Sequence, residues 1–306
     1  MSHLVAIVGP TGVGKSRLAL NLAQTFKGEI VSADSRQVYR HMNIGTAKPT
    51  PQEMSLVPHH LISIVNPDDD FSLAQYQQLA NRAISDIHRR GKLALLVGGS
   101  GLYVWSIVEG WGIPQVPPDP EFRISLEEKA TKDGREELYQ ELIQVDPVAA
   151  QRIDSHNVRR LVRALEVHRY TQMPFSQLQH KETPSFGILI VGLTTDRTDL
   201  YHIIDSRVDD MIKAGLVEEV KKLIETGYSL KLPAMSSIGY KQISMYLNGE
   251  LTLASAVQDI KFETHRFVRQ QYAWFRLKDR RIHWLDIQNN ENTDVISAIV
   301  KFLKSE

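Results

Sequence analysis

Apolar residues along the chain fall into short unbroken runs separated by stretches of helical spacing. Residues 4–8 (Leu-Val-Ala-Ile-Val) form a continuous apolar run, as a strand buried on both faces requires. Leu18, Leu22 and Phe26 then recur at helical intervals. Residues 29–33 read as a second strand and 60–65 as a third. Ser72 with Gln75 three positions later is a capping box, and Leu79, Ala80, Ala83, Ile84 and Ile87 form the apolar face of the helix it opens. Residues 93–97 are another buried strand. Strands alternating with helices predict an α/β fold, a parallel sheet flanked by helices. The pattern changes at the proline-rich break 113–120. Helical signals then follow one another over 121–132, 135–144, 147–152 and 157–171 with no strand between them. Residues 186–193 read as a strand rejoining the sheet and 282–286 as the last strand. The expected organisation is a discontinuous core, 1–115 with 186–306, carrying an all-helical insertion at 116–185.

Between the first strand and the first helix lies Gly9-Pro10-Thr11-Gly12-Val13-Gly14-Lys15-Ser16, a complete phosphate-binding loop in its strand–loop–helix setting. Glycines let the backbone curl so that several N–H groups address one phosphate, and the helix N-terminus adds its positive end. Lys15 would neutralise the outer phosphate and Ser16 would offer a hydroxyl to Mg²⁺. The loop therefore predicts binding of a di- or triphosphate, without saying which.

Composition narrows the setting. The 306 residues contain no cysteine, which excludes disulfides, thiolate chemistry and any cysteine-ligated zinc, and suits a reducing cytosol. No apolar run approaches the ~20 residues that span a bilayer, and a strand pattern beginning at residue 4 predicts no secretory leader. Lys+Arg and Asp+Glu are equal at 36 each, so the chain is not a generally basic nucleic-acid coat; local basic stripes remain open.

Several positions point to chemistry. Asp34 ends the second strand, at the sheet edge where open α/β folds bind ligands. A carboxylate there suits a metal ligand or general base, and suits a turn or cap equally. The strand at 93–97 ends not in the carboxylate of a nucleotide hydrolase but in Gly98-Gly99-Ser100-Gly101. Ser100 could hydrogen-bond a phosphate or leaving-group oxygen, though two glycines would also make a plain turn. In the insertion Arg159 and Arg163 share a helix face with Arg160 beside them, and no acid follows until Glu166; this fits phosphate contact or a solvated face. Residues 261–281 hold seven cations against two acids, interleaved with Phe262, Phe267, Tyr272, Trp274 and Phe275. Such a mixture suits single-stranded nucleic acid or the core face of a helix. His59 and His60 lack the spacing of a zinc pair and read as packing residues.

Together these stretches resemble the tRNA dimethylallyltransferases (tRNA isopentenyltransferases). The resemblance rests on 9–16, Ala-Asp-Ser-Arg-Gln-Val-Tyr (33–39), Ile-Gly-Thr-Ala-Lys-Pro (44–49), Pro-His-His-Leu (58–61) and Gly-Gly-Ser-Gly-Leu-Tyr (98–103). It continues through Arg-Arg-Leu-Val-Arg-Ala-Leu-Glu (159–166), Ile-Gly-Tyr-Lys (238–241) and Arg-Gln-Gln-Tyr-Ala-Trp-Phe-Arg (269–276), in the family's order. It implies transfer of a dimethylallyl group from dimethylallyl diphosphate to N6 of the adenosine 3′-adjacent to the anticodon of tRNA. By that resemblance Asp34 is the base, and the loop cradles diphosphate. Lys15, Arg123 and Mg²⁺ on Ser16 stabilise the leaving group, and Ser100 hydrogen-bonds it. Asp34, Ser35, Arg36, Gln37, Ser100, Arg123, Arg159, Arg160, Leu161, Val162 and Arg163 match tRNA-contacting positions, with the insertion gripping the anticodon stem. The chain departs from the family at Ser100 (usually Thr), Arg36 (often Met), Arg159 (often Gln) and Gln242 (usually Glu). The absence of a cysteine-bearing zinc-finger tail points to the bacterial type, a cytoplasmic monomer. Three other readings stand beside it: an ATP-dependent small-metabolite kinase, an adenylate isopentenyltransferase acting on free AMP, ADP or ATP, and a nucleotide-gated RNA-binding protein.

Overall fold

The computed structural model describes residues 2–288 and 292–304. In chain order the elements are β1 (His3–Val8), α1 (Lys15–Thr25), β2 (Glu29–Ser32), α2 (Pro51–Leu56), β3 (His59–His60), α3 (Leu73–Arg89), β4 (Ala94–Val97) and α4 (Gly101–Val108). Then come α5 (Pro120–Lys129), α6 (Arg135–Val145), α7 (Pro147–Arg152), α8 (Val158–Thr171) and α9 (Phe175–Leu178). The chain closes with β5 (Gly187–Thr194), α10 (Arg197–Lys213), α11 (Leu216–Glu225), α12 (Tyr240–Leu247), α13 (Leu253–Trp274), β6 (Ile282–Asp286) and α14 (Asn292–Lys304). Among the described residues no helix is long and apolar enough to cross a membrane.

The chain divides into two compact units, Met1–Val108 with Pro184–Glu306, and Glu109–Thr183. The first holds one six-stranded parallel sheet in the order β3-β2-β4-β1-β5-β6. Central β1 is buried from Leu4 to Val8, which is why its sequence is unbroken apolar rather than alternating. Leu18, Ala19, Leu22 and Ala23 form the buried face of α1. The capping box of α3 is present as expected, with Ser72 accepting from the Gln75 N–H and Gln75 from the Ser72 N–H. The strand expected over 60–65 stops at His60. Leu61 (φ +63°) and Ser63 (φ +54°) adopt left-handed backbone, which no strand tolerates. Only a single bridge, Tyr39 to Val65, continues the pairing. At the start of β2, Glu29, 2% exposed, pairs with His60 (2.7 Å), Arg90 (2.6 Å) and Lys92 (2.9 Å). Burial works to raise its pKa, but the hydrogen bonds from Lys92, His60 and Arg90 hold it down to about 2.

The second unit is helical around its own core of Leu126, Leu138, Leu142, Ala149, Ile153, Leu161, Val162 and Leu165. The helix expected over 121–132 ends earlier, at Lys129, and a π-helical turn, Ala130–Gly134, leads into α6. The unit takes in residues 109–115, left with the core in the sequence reading, because its ends are tied together. Trp111 bridges to Lys181, and backbone bonds run from Gly112 N–H to His180 C=O and from Glu182 N–H to Gly110 C=O. A run of prolines marks where regular structure stops; it does not mark where contacts separate.

Candidate active site

The first unit carries a cavity of about 690 Å³ at the carboxyl ends of β1, β2 and β4. Its floor is the phosphate loop: Thr11, Gly12, Gly14, Lys15 and Ser16 line it. Gly12 (φ +86°) and Gly14 (φ +90°) take backbone that side-chain-bearing residues rarely adopt, and Gly14 starts α1. Lys15 Nζ folds back to donate to the Pro10 carbonyl (2.7 Å). Burial lowers its pKa to about 7, with nearby Arg207 pushing the same way and Asp34 opposing both. Arg207, on α10, lies close enough to donate to Thr11 Oγ1 (3.4 Å), and its own pKa is lowered by burial against the pull of Asp34. One carboxylate and two cations thus face each other across the cavity.

Asp34 lies just past the end of β2. Its Oδ1 accepts the Arg36 N–H (2.8 Å), closing a turn. The turn reading of this residue is met, and Asp34 lines the cavity. Ser100, just past β4, accepts the Ser35 N–H (2.9 Å) and donates to Ser35 Oγ (3.2 Å). Its hydroxyl therefore joins the two strand-end loops. Arg36 donates to the Pro233 carbonyl (2.9 Å) and so fastens the 229–239 loop to the cavity wall. Gln37 turns inward: it accepts from Ser32 Oγ and donates to the carbonyls of Thr46 and Ala47.

Two further residues, neither assigned a role from the sequence, hold the site together. Gln271 of α13, 4% exposed, accepts the Thr11 N–H (2.8 Å) and donates to Gly99 C=O (3.2 Å), clamping the phosphate loop to the Gly-Gly turn. Glu219 of α11 accepts the N–H groups of Asn43, Ile44 and Gly45 and the Tyr240 hydroxyl (2.6 Å). It thereby braces a loop whose Gly45, Thr46 and Pro49 line the cavity. Arg207 is likewise one cation in a helix of mixed charge; only the packing of α10 brings it to the loop.

In the second unit Glu166, 2% exposed, accepts from Arg123 Nε (2.7 Å) and Nη2 (2.8 Å), from Arg163 Nη1 (2.6 Å) and from the Asp119 N–H (2.8 Å). Arg163 also donates to the carbonyls of Val116 and Pro114. This corrects the expectation of three phosphate-seeking arginines: Arg163 is built into the unit, while Arg159 and Arg160 are exposed. Leu161 (0% exposed) and Val162 (3%) belong to the core, so their side chains offer no surface to a nucleic acid. The basic stretch 261–281 divides similarly. Lys261 pairs with Asp209 and Arg281 with Asp279, Arg269 donates to Tyr201, and Phe275 is buried. Phe262, Phe267, Trp274, Arg276, Lys278 and Arg280 are exposed.

A parallel sheet with a phosphate loop, a carboxylate and flanking basic side chains at one cavity places the chain among proteins of the P-loop fold. The IPP transferase family matches residues 37–278, and the isopentenyl transferase family matches 2–65. A tRNA dimethylallyltransferase of Dehalococcoides mccartyi is 48% identical over 303 residues, 99% of this chain and 93% of that protein. One from Roseiflexus castenholzii is 53% identical over 276 residues, 90% of each. The solved tRNA isopentenylpyrophosphate transferase of Bacillus halodurans is 39% identical with a TM-score of 0.72, covering 99% of this chain and 96% of that one. A eukaryotic dimethylallyltransferase acting on tRNA reaches a TM-score of 0.85 at 26% identity, covering 100% of this chain and 80% of that one. The chain belongs to the IPP transferase family.

Proposed function

We propose that this protein transfers a dimethylallyl group from dimethylallyl diphosphate to N6 of the adenosine 3′-adjacent to the anticodon in tRNA, releasing diphosphate. The observation that carries the reading is the meeting of Asp34 with Lys15 and Arg207 at one cavity. In this reaction N6 bonds to the allylic carbon, the carbon–oxygen bond to diphosphate breaks, and N6 loses a proton. An adenine amine is a weak nucleophile because its lone pair is delocalised. Asp34 accepts its proton, while Lys15, Arg207 and the loop N–H groups hold the departing diphosphate. Excluding water would matter too, since water would otherwise capture a cation-like allyl group.

Ser16 is exposed at the cavity wall, and the described residues hold no cluster of three or more His, Asp or Glu side chains placed for a metal. A Mg²⁺ here would therefore be held by Ser16, diphosphate oxygens and water, a ligand set usual for that ion, and would offset charge on the leaving group. Arg123, fixed by Glu166, and exposed Arg159 and Arg160 are the insertion's groups for tRNA. On this reading the protein works as a monomer in the cytoplasm.

The test is label transfer from radioactive dimethylallyl diphosphate to an unmodified anticodon stem-loop, with AMP and ATP as rival acceptors. The expected outcome is labelled stem-loop, lost by roughly 100-fold or more in Asp34→Ala while stem-loop binding persists. Label only in mononucleotide would overturn the acceptor. ATP consumption without any label would overturn the reaction.

A further inference from the structure

The last turns of α13 put Phe267, Gln270 and Trp274 on one face, three, four and seven residues apart. Phe267 and Gln270 line the cavity, and Trp274 lies one turn beyond them. Its indole packs against Gly101, the residue after Ser100, where an added β-carbon would fall 2.3 Å from the ring. Its backbone carbonyl accepts the Trp105 indole N–H (3.2 Å), so the position is held from a second side. Even so, Trp274 is 42% exposed, with Leu102 (46%) following Gly101. Exposed Arg276, Lys278 and Arg280 come within the next six residues.

We propose that Trp274 is a stacking platform for the base that neighbours the target adenosine in the anticodon loop. The inference rests on the tRNA reading above. A base taken out of the loop for chemistry leaves its neighbour without a stacking partner. A rigid indole beside the Ser35–Ser100 junction can take that place at little entropic cost, and the following cations can pair with the adjoining phosphates. Packing alone does not call for the indole, because an aliphatic side chain would cover Gly101 as well and expose less ring.

The test compares Trp274→Leu and Trp274→Phe with the wild type. The expected result is that Leu raises the KM for the stem-loop roughly 5- to 100-fold, the range for losing one base–aromatic stack. The KM for dimethylallyl diphosphate stays within about twofold of the wild type on that logic. Phe restores most of the loss. Stem-loop should also quench wild-type tryptophan emission more than that of Trp274→Phe. Leu performing as well as Phe, or equal quenching in both, would overturn the platform. If the wild type leaves the stem-loop unlabelled but Trp274-dependent quenching persists, the reaction falls and the platform stands; with neither, both fall.

Discussion

Asp34 gives one oxygen to the turn that shapes the strand end and also lines the cavity. The same economy recurs at Ser100, whose hydroxyl ties two loops, and at Lys15, which closes on its own loop through the Pro10 carbonyl. Arg207 has no such second duty of comparable strength: among the described residues its side chain makes one bond, a long one at 3.4 Å to Thr11. Its removal should therefore act on substrate rather than on folding. Arg207→Ala is expected to lower kcat/KM for dimethylallyl diphosphate by roughly 10- to 100-fold, as for loss of one charged hydrogen bond, with melting little changed; steady-state kinetics and a melt decide it. Glu29 is the opposite case, a charge kept for stability. Its folded pKa of about 2 lies below the ordinary carboxylate value, so the unfolded chain takes up a proton first as pH falls. The contribution is complete above about pH 4.5 and lost as pH falls through 2, amounting to about 2–3 kcal/mol. Glu29→Gln should lower stability at pH 7 by that order and flatten the acid limb, measured by denaturant unfolding across pH.

Helix α13 shows what an element contributes beyond its residues. Its apolar spacing and its aromatics are both visible in sequence, but the spacing does not say which aromatic faces in. Phe275 went to the core, Tyr272 to a hydroxyl contact with Thr194, and Trp274 to the surface. Gln271, just before them, spans two loops some 170 and 260 positions distant in the chain. Loop 43–45 depends on an element just as remote, α11, through Glu219. Glu219→Ala would leave three N–H groups and the buried Tyr240 hydroxyl without their acceptor. The expected cost is about 2 kcal/mol or more, with faster amide exchange at residues 43–45 and a raised KM for substrate at the cavity they line. Tyr240→Phe, removing one donor but keeping the carboxylate in the backbone nest, should cost less. Hydrogen exchange on both variants separates the two contributions.

At the scale of the molecule the chain forms two units with separate cores, and the second holds two buried carboxylates, Asp146 and Glu166, of which Glu166 takes the two arginines. Glu166→Gln would weaken its hold on both Arg123 and Arg163 and should destabilise the second unit by about 2–4 kcal/mol, as for breaking a buried pair. Limited proteolysis should then cut within 109–183 first; protection equal to the wild type would contradict that role. Much of the architecture was legible in the order of residues, because local rules govern it. A run buried on both faces must be apolar throughout, a capping box names its helix start, and Gly-rich spacing before Lys-Ser permits few other folds. The phosphate loop, Asp34 and the helical insertion were visible for that reason. Side-chain partners across long separations follow no such rule. Arg207, Gln271 and Glu219 reach the site only because helices far along the chain pack beside the loops that follow β1, β2 and β4. The burial of Leu161 and Val162 and the capture of Arg163 by Glu166 depend on which face of α8 meets α5 and α6. A helical stretch rich in arginine leaves that choice open, and packing makes it.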